Sequence, residues 1–444
     1  MISFDKEFSA SLKNLAVPIM LQSLLSTAIG TADTLMLSAV GQTELSAVSL
    51  ANQWSFILNL FFTGLVGGTG IMLAQYMESK KKEQLPHVFG MALWAAAAVC
   101  ILFGGLAFLF PEGIMGILTD DDLLIRTGCR YLQIVGFSYL FMAFTQPYLV
   151  LLKTLKHPGK STAISTAALV INLIFNAVFI FGLLGAPKMG VAGVALATLL
   201  SRAAEFLFCA IDLSRCRYIR IDLRPGHGLW KTFAHISLPL TVQGLVWGGG
   251  MSAMTALMGH MSSDVVAANS VASSIQSIAR VASIGLAVAG AILLGNDLGK
   301  NAFPEAQAHS RQLTVTALIA GICGCILMLL SVWPVTRLLS LTDTARYYLT
   351  VMYCILAVNV IFAAITYCML CGVFVAGGDT RFGMFLDGIT MWSLIAAGYL
   401  AFRLDFPPLL IFLILKLDEC IKTPIVLLRY RRGKWVKNIT EQTS

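Results

Sequence analysis

Apolar positions along this chain do not alternate with polar ones at a fine period. They gather in blocks of twenty or more, separated by short clusters of charged residues, Gly and Pro. Such a block matches the ~20 residues an α-helix needs to cross the ~30 Å hydrocarbon core of a bilayer. The blocks predict twelve helices, near 12–37, 45–77, 86–110, 128–152, 160–185, 190–213, 233–258, 264–298, 309–336, 347–375, 381–402 and 407–428. Those at 45–77 and 264–298 exceed a bare crossing, so they should tilt or project beyond the bilayer. The stretch 214–232 is the longest polar one and reads as a cytoplasmic linker between a first half, 1–213, and a second, 233–444 with its cytoplasmic tail.

Composition agrees with a polytopic all-α integral membrane protein. Of 444 residues 57% are hydrophobic and 12% charged, where a soluble chain would carry about 25% charged residues. This excludes an ordinary cytosolic enzyme, a disordered chain and a disulfide scaffold. The net charge of +8 is a matter of loops, not of nucleic acid. With the amino terminus inside, 21 Lys and Arg fall in inner segments and 6 in outer ones, so both termini are expected in the cytoplasm. Lys153, Lys156, Arg217 and Arg220 belong to the inner set. The ten cysteines lie mostly inside apolar blocks and read as packing residues.

An internal repeat sharpens the architecture. Pro18-x-x-x-Gln22 recurs as Pro239-x-x-x-Gln243, 221 positions later; Gly64-Leu65 recurs as Gly285-Leu286 at the same offset. Duplication of a six-helix unit follows. Because six is even, both copies enter the membrane the same way round, which implies two lobes related by a pseudo-twofold axis along the membrane normal. Pro18 and Pro239 each remove a backbone hydrogen bond and kink their helices. They are candidate hinges, with static packing kinks as the alternative.

Asp33 is the first side chain to explain, since an ionised Asp within a span costs about 2.5–3.5 kcal/mol on insertion scales. No Lys or Arg lies near it in its helix. A proton or a small cation is the simplest partner, and an interfacial Asp wetted by headgroup water is the other reading. Asn172 and Asn176 share a helix face by their i,i+4 spacing, and Thr198 sits at a similar depth in the next helix. Together these are hard oxygen ligands, or else ordinary interhelical hydrogen-bonding groups. Arg202/Glu205, Lys416/Glu419 and Asp418/Lys422 are spaced for ion pairs along single helices, whereas Arg280 and Asp387 have no evident local partner. Gln22, Gln243, Trp247 and Met254 are candidates for lining a substrate cavity. Gly159-Lys160-Ser161-Thr162 fails as a P-loop because position 154 is Thr, so ATP-driven transport has no support. No membrane face gathers the His, Asp or Glu that an embedded transferase would need, so the chain does not read as an enzyme.

Taken in order, Pro18…Gln22, Ala32-Asp33-Thr34, Asn172…Asn176, the Met189–Thr198 run and Ala376-Gly377-Gly378-Asp379-Thr380-Arg381 resemble the multidrug and toxic compound extrusion (MATE) family over essentially the whole chain. The resemblance implies a secondary antiporter of the plasma (inner) membrane, a monomer without cofactor or nucleic-acid partner. It would expel cationic and aromatic xenobiotics against H+ or Na+ by alternating access. The family's amino-lobe cation site maps onto Asp33, Asn172, Asn176 and Thr198. Many members have Asp where this chain has Asn176, and some have a Glu near Trp247 that is missing here. Asp33 is then the only carboxylate of the pocket, which favours H+ over Na+ at Asp33 and coupling in the first lobe alone. A lipid-linked oligosaccharide or lipid flippase of the same superfamily is the alternative; it would need a strongly cationic cavity.

Overall fold

The computed structural model describes residues 5–38, 40–216, 218–219, 222–224, 228–338 and 342–441. Arg217 and Arg220, and with them part of the expected linker 214–232, lie outside the described residues. The fold is all-α, with no strand among the described residues. In chain order the helices are α1 (Lys6–Ser38), α2 (Gln42–Glu78), α3 (Leu85–Leu109), α4 (Pro111–Leu118), α5 (Asp122–Thr154), α6 (Pro158–Phe181), α7 (Gly190–Cys216), α8 (Leu229–Gly259), α9 (Ser263–Gly299), α10 (Phe303–Leu338), α11 (Asp343–Tyr367), α12 (Thr380–Arg403), α13 (Pro408–Lys416) and α14 (Asp418–Arg431). Ten of the described helices are long and apolar enough to cross a bilayer. Adding α8 and the α13–α14 pair gives the twelve spans, while α4 is a short extra helix after α3. The two overlong blocks became α2 and α9, each 37 residues.

Local chemistry sets the ends. The Asp121 carboxylate accepts from the N–H groups of Leu123 and Leu124 to start α5. Thr342 caps α11 in the same way through Ala345 N–H, satisfying donors that a helix start otherwise leaves bare. Pro stands in the first turn of α3, α4, α6 and α13, where its missing N–H costs nothing. Gly182, at φ 71°, ends α6.

Two compact units result. The first comprises Leu21–Leu73 and Lys81–Ser237, and its core joins α3, α5 and α7 through Phe103, Tyr131, Leu132, Met142 and Ala195. The second comprises the described residues of Met1–Met20, Ala74–Lys80 and Leu238–Ser444, built around α9, α10 and α11. Within it, seven residues (Cys368–Phe374) after α11 form a π-helix. The C-terminal tail is part of this second core: Trp435 is fully buried and stacks on Tyr430. Gln75, at the end of α2, donates to the carbonyls of Ala376 (2.7 Å) and Lys437 (3.3 Å) and accepts from Ile439 N–H (2.8 Å).

Three differences from the sequence reading have physical causes. Lys153 does not belong to the inner loop, because α5 continues through it to Thr154. The last apolar block is not one helix; it breaks at Leu417, and Asn359 Nδ2 donates to the Lys416 carbonyl at the break (2.8 Å). That break also spoils the i,i+3 spacing of Lys416 and Glu419. Lys416 instead lies over the Phe412 ring, and no Lys416–Glu419 ion pair forms among the described residues.

Candidate functional site

α1, α2, α5, α6 and α7 of the first unit enclose a polar chamber of about 410 Å3. Asp33 projects into it from α1 as a half-buried side chain. Asn176, on α6 and 2% exposed, donates its Nδ2 to Asp33 Oδ1 at 2.9 Å and to Asn172 Oδ1 at 3.3 Å. Asn172 donates in turn to Ser201 Oγ on α7 at 3.4 Å. Thr198 lines the same wall, its hydroxyl turned back to the Val194 carbonyl at 3.1 Å. The structure therefore brings Asp33, Asn172 and Thr198 to the chamber lining, with Asn176 buried behind them and bonded to Asp33 and Asn172, and Gln22 lines that chamber as well. The i,i+4 spacing of the two asparagines accounts for their shared face.

One atom of this cluster is left over. Asn176 Oδ1 is buried and has no hydrogen-bond partner. A buried acceptor in that state costs about 1–3 kcal/mol. The Asn176 N–H groups are already spent on Asp33 and Asn172, so its carbonyl oxygen is left as an acceptor next to the amide that holds Asp33. Among the described residues no Lys or Arg lies within ion-pair distance of Asp33, so its charge is not neutralised by the protein.

Aromatic hydroxyls and charges complete the lining, and sequence reasoning passed over most of them. Tyr131 on α5 donates to Asn52 Oδ1 at 2.9 Å, and Tyr139 pairs with Ser55 at 2.8 Å. A lone Tyr in an apolar span reads as packing; the signal was Tyr131 and Tyr139 spaced eight apart, two turns on one face. Deeper in the chamber, Arg202 Nη1 meets Glu205 Oε2 at 2.9 Å, as the spacing predicted, and Lys153 faces the same space.

The remaining candidates belong to the second unit. Gln243 on α8 donates to Asp387 Oδ2 at 2.6 Å. Lys422 joins Asp387 at 2.8 Å and Asp418 at 3.1 Å, and Arg280 lies 3.8 Å from Glu419. These contacts give Asp387 and Arg280 the partners that no local spacing could reveal. Trp247 is 41% exposed, whereas Met254 is packed into the second unit's core. Pro18 and Pro239 lie inside α1 and α8.

The described residues thus form a multi-span helical bundle with a half-buried carboxylate in a polar chamber. Sequence comparison gives the family: the MatE pattern matches twice, at residues 18–178 and 239–400, and the chain belongs to the MatE family of multidrug and toxic compound extrusion transporters. The two matches start at Pro18 and Pro239, the offset of the internal repeat. Similar proteins include an uncharacterized transporter, YisQ, of Bacillus subtilis (22% identity, 98% of this chain and 96% of that one). Another is the multidrug resistance protein MdtK of Edwardsiella ictaluri (25% identity, 88% and 87%). Among solved structures, a mutant of the Vibrio cholerae MATE transporter VcmN superposes with a TM-score of 0.89 at 16% identity, covering 98% of this chain and 99% of that one. A MOP superfamily transporter from Pyrococcus furiosus gives 0.86 at 17%, over 96% of both chains. At these identities the structural likenesses carry the fold.

Proposed function

We propose that this protein is a secondary antiporter of the plasma membrane that exports cationic, aromatic xenobiotics in exchange for protons taken up by Asp33. The observation that carries the reading is the orphaned Asn176 Oδ1 beside the Asp33 carboxyl. One bound proton would let Asp33 donate a hydrogen bond to it and would remove the uncompensated charge together. Na+ is the less suited occupant, because Asn172 Oδ1 already accepts a bond and the Thr198 hydroxyl is turned to the backbone. A small cation wants more free oxygens than this wall offers.

Proton uptake drives transport only if it favours one conformation over another. In the ionised state Asp33 attracts a cationic substrate into the chamber. Protonation from the outer side cancels that attraction and favours release, with 1–213 and 233–444 as the alternating lobes, 214–232 as the linker and both termini in the cytoplasm. Pro18 and Pro239 would supply the bends and Gln22, Gln243 and Trp247 the substrate contacts, whereas Met254 is withdrawn from that set by its burial in the core. The protein acts as a monomer, without a cofactor. A lipid or lipid-linked oligosaccharide flippase finds less support, since the chamber's charged lining is two acids and two bases. The test is reconstitution into liposomes, with dye efflux followed under an imposed pH or Na+ gradient. Efflux should follow the pH gradient and be lost in Asp33→Asn; undiminished efflux by that variant overturns the mechanism.

A further inference from the structure

A titratable contact holds the start of α1, far along that helix from Asp33. His309, in the second turn of α10, stands between two carboxylates. Its Nδ1 is 2.7 Å from Asp297 Oδ2 on α9, and its Nε2 is 3.2 Å from Asp5 Oδ2 just ahead of α1. The ring lies flat on the buried Phe8, with centroids 4.2 Å apart and planes within 9°. Ionised carboxylates only accept, and a neutral imidazole donates from one nitrogen alone. Both contacts are therefore made at once by the imidazolium, which carries a donor on each side. A neutral ring would set a bare lone pair against one of the acids.

Asp5 has two tasks. Its Oδ1 accepts from Glu7 N–H at 2.8 Å and so caps α1, while Oδ2 meets His309. Gln312, about a turn further along α10, accepts from Asp5 N–H and donates to the Asp5 carbonyl, both at 3.1 Å, and donates to the Ser9 hydroxyl. These amide contacts do not titrate. The start of α1 thus keeps its place when the imidazole loses a proton, and only the grip on it changes. Other charged and titratable groups of the surrounding elements are engaged or exposed. Lys300 of α9 turns to Glu78 (3.7 Å), Asp379 holds Arg429 of α14, and Tyr430 meets Ser310. Glu441 of the tail accepts from Asn301, and Lys6, Glu7 and Lys13 of α1 and Glu305 and Arg311 of α10 are exposed. Among the described residues, Asp5 and Asp297 are left to govern His309.

The grip matters because of where α1 goes. The helix belongs to the second unit up to Met20, two residues past Pro18, and to the first from Leu21 onward, where it carries Asp33. We propose that His309 is a proton-sensitive clamp on α1: the imidazolium ties Asp5 at the start of that helix to Asp297 on α9, and loss of its proton loosens the tie. This rests on the export reading and its orientation, in which protons from Asp33 are delivered to the cytoplasm where α1 begins. Acid gathering there keeps His309 charged and α1 held, so the antiporter slows as its own imported ion accumulates. The tie is complete below the ordinary imidazole value, about 6.5, and is lost as the pH rises through the folded value.

Hydrogen exchange of the full chain in nanodiscs reads the clamp without transport. The Asp5 side chain is 48% exposed, so the contact is a modest one. Corrected for intrinsic exchange chemistry, the first turns of α1 should be about threefold to fivefold better protected at about pH 6 than at about pH 8.5. His309→Gln should be flat over that range at the loosened level. His309→Arg, whose charge does not titrate, should be flat at the protected level. Equal protection of the parent at both pH values overturns the clamp, and so does a pH response that survives in His309→Gln. Dye efflux from proteoliposomes at one fixed pH gradient, with both sides shifted together from about pH 6 to about pH 8, reads the regulation. His309→Gln should outpace the parent at the acid end and match it at the alkaline end; a ratio of rates indifferent to pH overturns the feedback. Exchange that follows pH without gradient-driven efflux sinks the export reading and keeps the clamp. Efflux with flat exchange does the reverse.

Discussion

Asn176 gives Asp33 a hydrogen-bond donor at 2.9 Å while its own carbonyl oxygen stays buried and unmet. The pair joins α1 to α6 across 143 residues, and its imbalance is an acceptor too many. Replacing Asn176 with Asp adds a second carboxylate where a donor stood. Two adjacent carboxylates hold a small cation far better than one. Asn176→Asp should therefore gain dye efflux driven by an imposed Na+ gradient relative to the unaltered protein. Efflux measured in K+ liposomes with and without external Na+ checks this; no gain would count against Asn176 as a cation-site position.

In the second unit, Lys422 is held between Asp387 and Asp418, with all three side chains nearly buried. Lys422→Met removes the cation and strands two acids. Breaking a buried pair from one side costs about 3–5 kcal/mol, so thermal unfolding in detergent should move down sharply. The companion change Asp387→Leu, made in the Lys422→Met background, should recover part of that loss. A Lys422→Met protein as stable as the parent would show that the network is wet.

A methyl group at Gly377 would collide with the Trp435 main-chain carbonyl. Gly377→Ala is expected to cost about 1–3 kcal/mol, the usual price of overpacking, and to unseat the tail. Trypsin sensitivity after Arg432 and Lys434, compared between variant and parent, reads this directly.

Asp5, just ahead of α1 and itself part of the second unit, contacts His309 (3.2 Å) and Gln312 of α10. The hydrogen bond with His309, and then that from Glu7 N–H, hold its carboxyl below the usual carboxylate range. A lowered folded value stabilises above the unfolded one, about 3.9, and the benefit is lost as pH falls through the folded value. Hydrogen exchange in the first turns of α1 should thus accelerate below about pH 4, and Asp5→Asn should flatten the response.

Much of this architecture was legible because a bilayer writes itself into a sequence as uninterrupted apolar blocks. Helix order, the overlong α2 and α9 and the repeat all followed from that. The ends were less legible. α1 starts at Lys6 and α5 at Asp122, earlier than the apolar blocks suggest, because polar first turns continue a helix once a cap such as Asp121 is present. Within the site, Asp33 was conspicuous by its cost and the asparagines by their spacing. Lys153 was hidden by the rule that basic residues mark loops, and the Asp387–Lys422 contact joins positions 35 residues apart on different helices, which no local spacing can express.

Gln75 has a bearing on how the molecule is made. Its three main-chain partners belong to residues synthesised 301, 362 and 364 positions later. Until those residues have been made and have emerged, this amide lacks its main-chain partners and the end of α2 stays unsealed. The second unit can therefore finish folding only once its C-terminal tail has docked. A fusion partner or stop codon placed ahead of Trp435 would freeze the protein in that immature state, however completely its spans had been inserted.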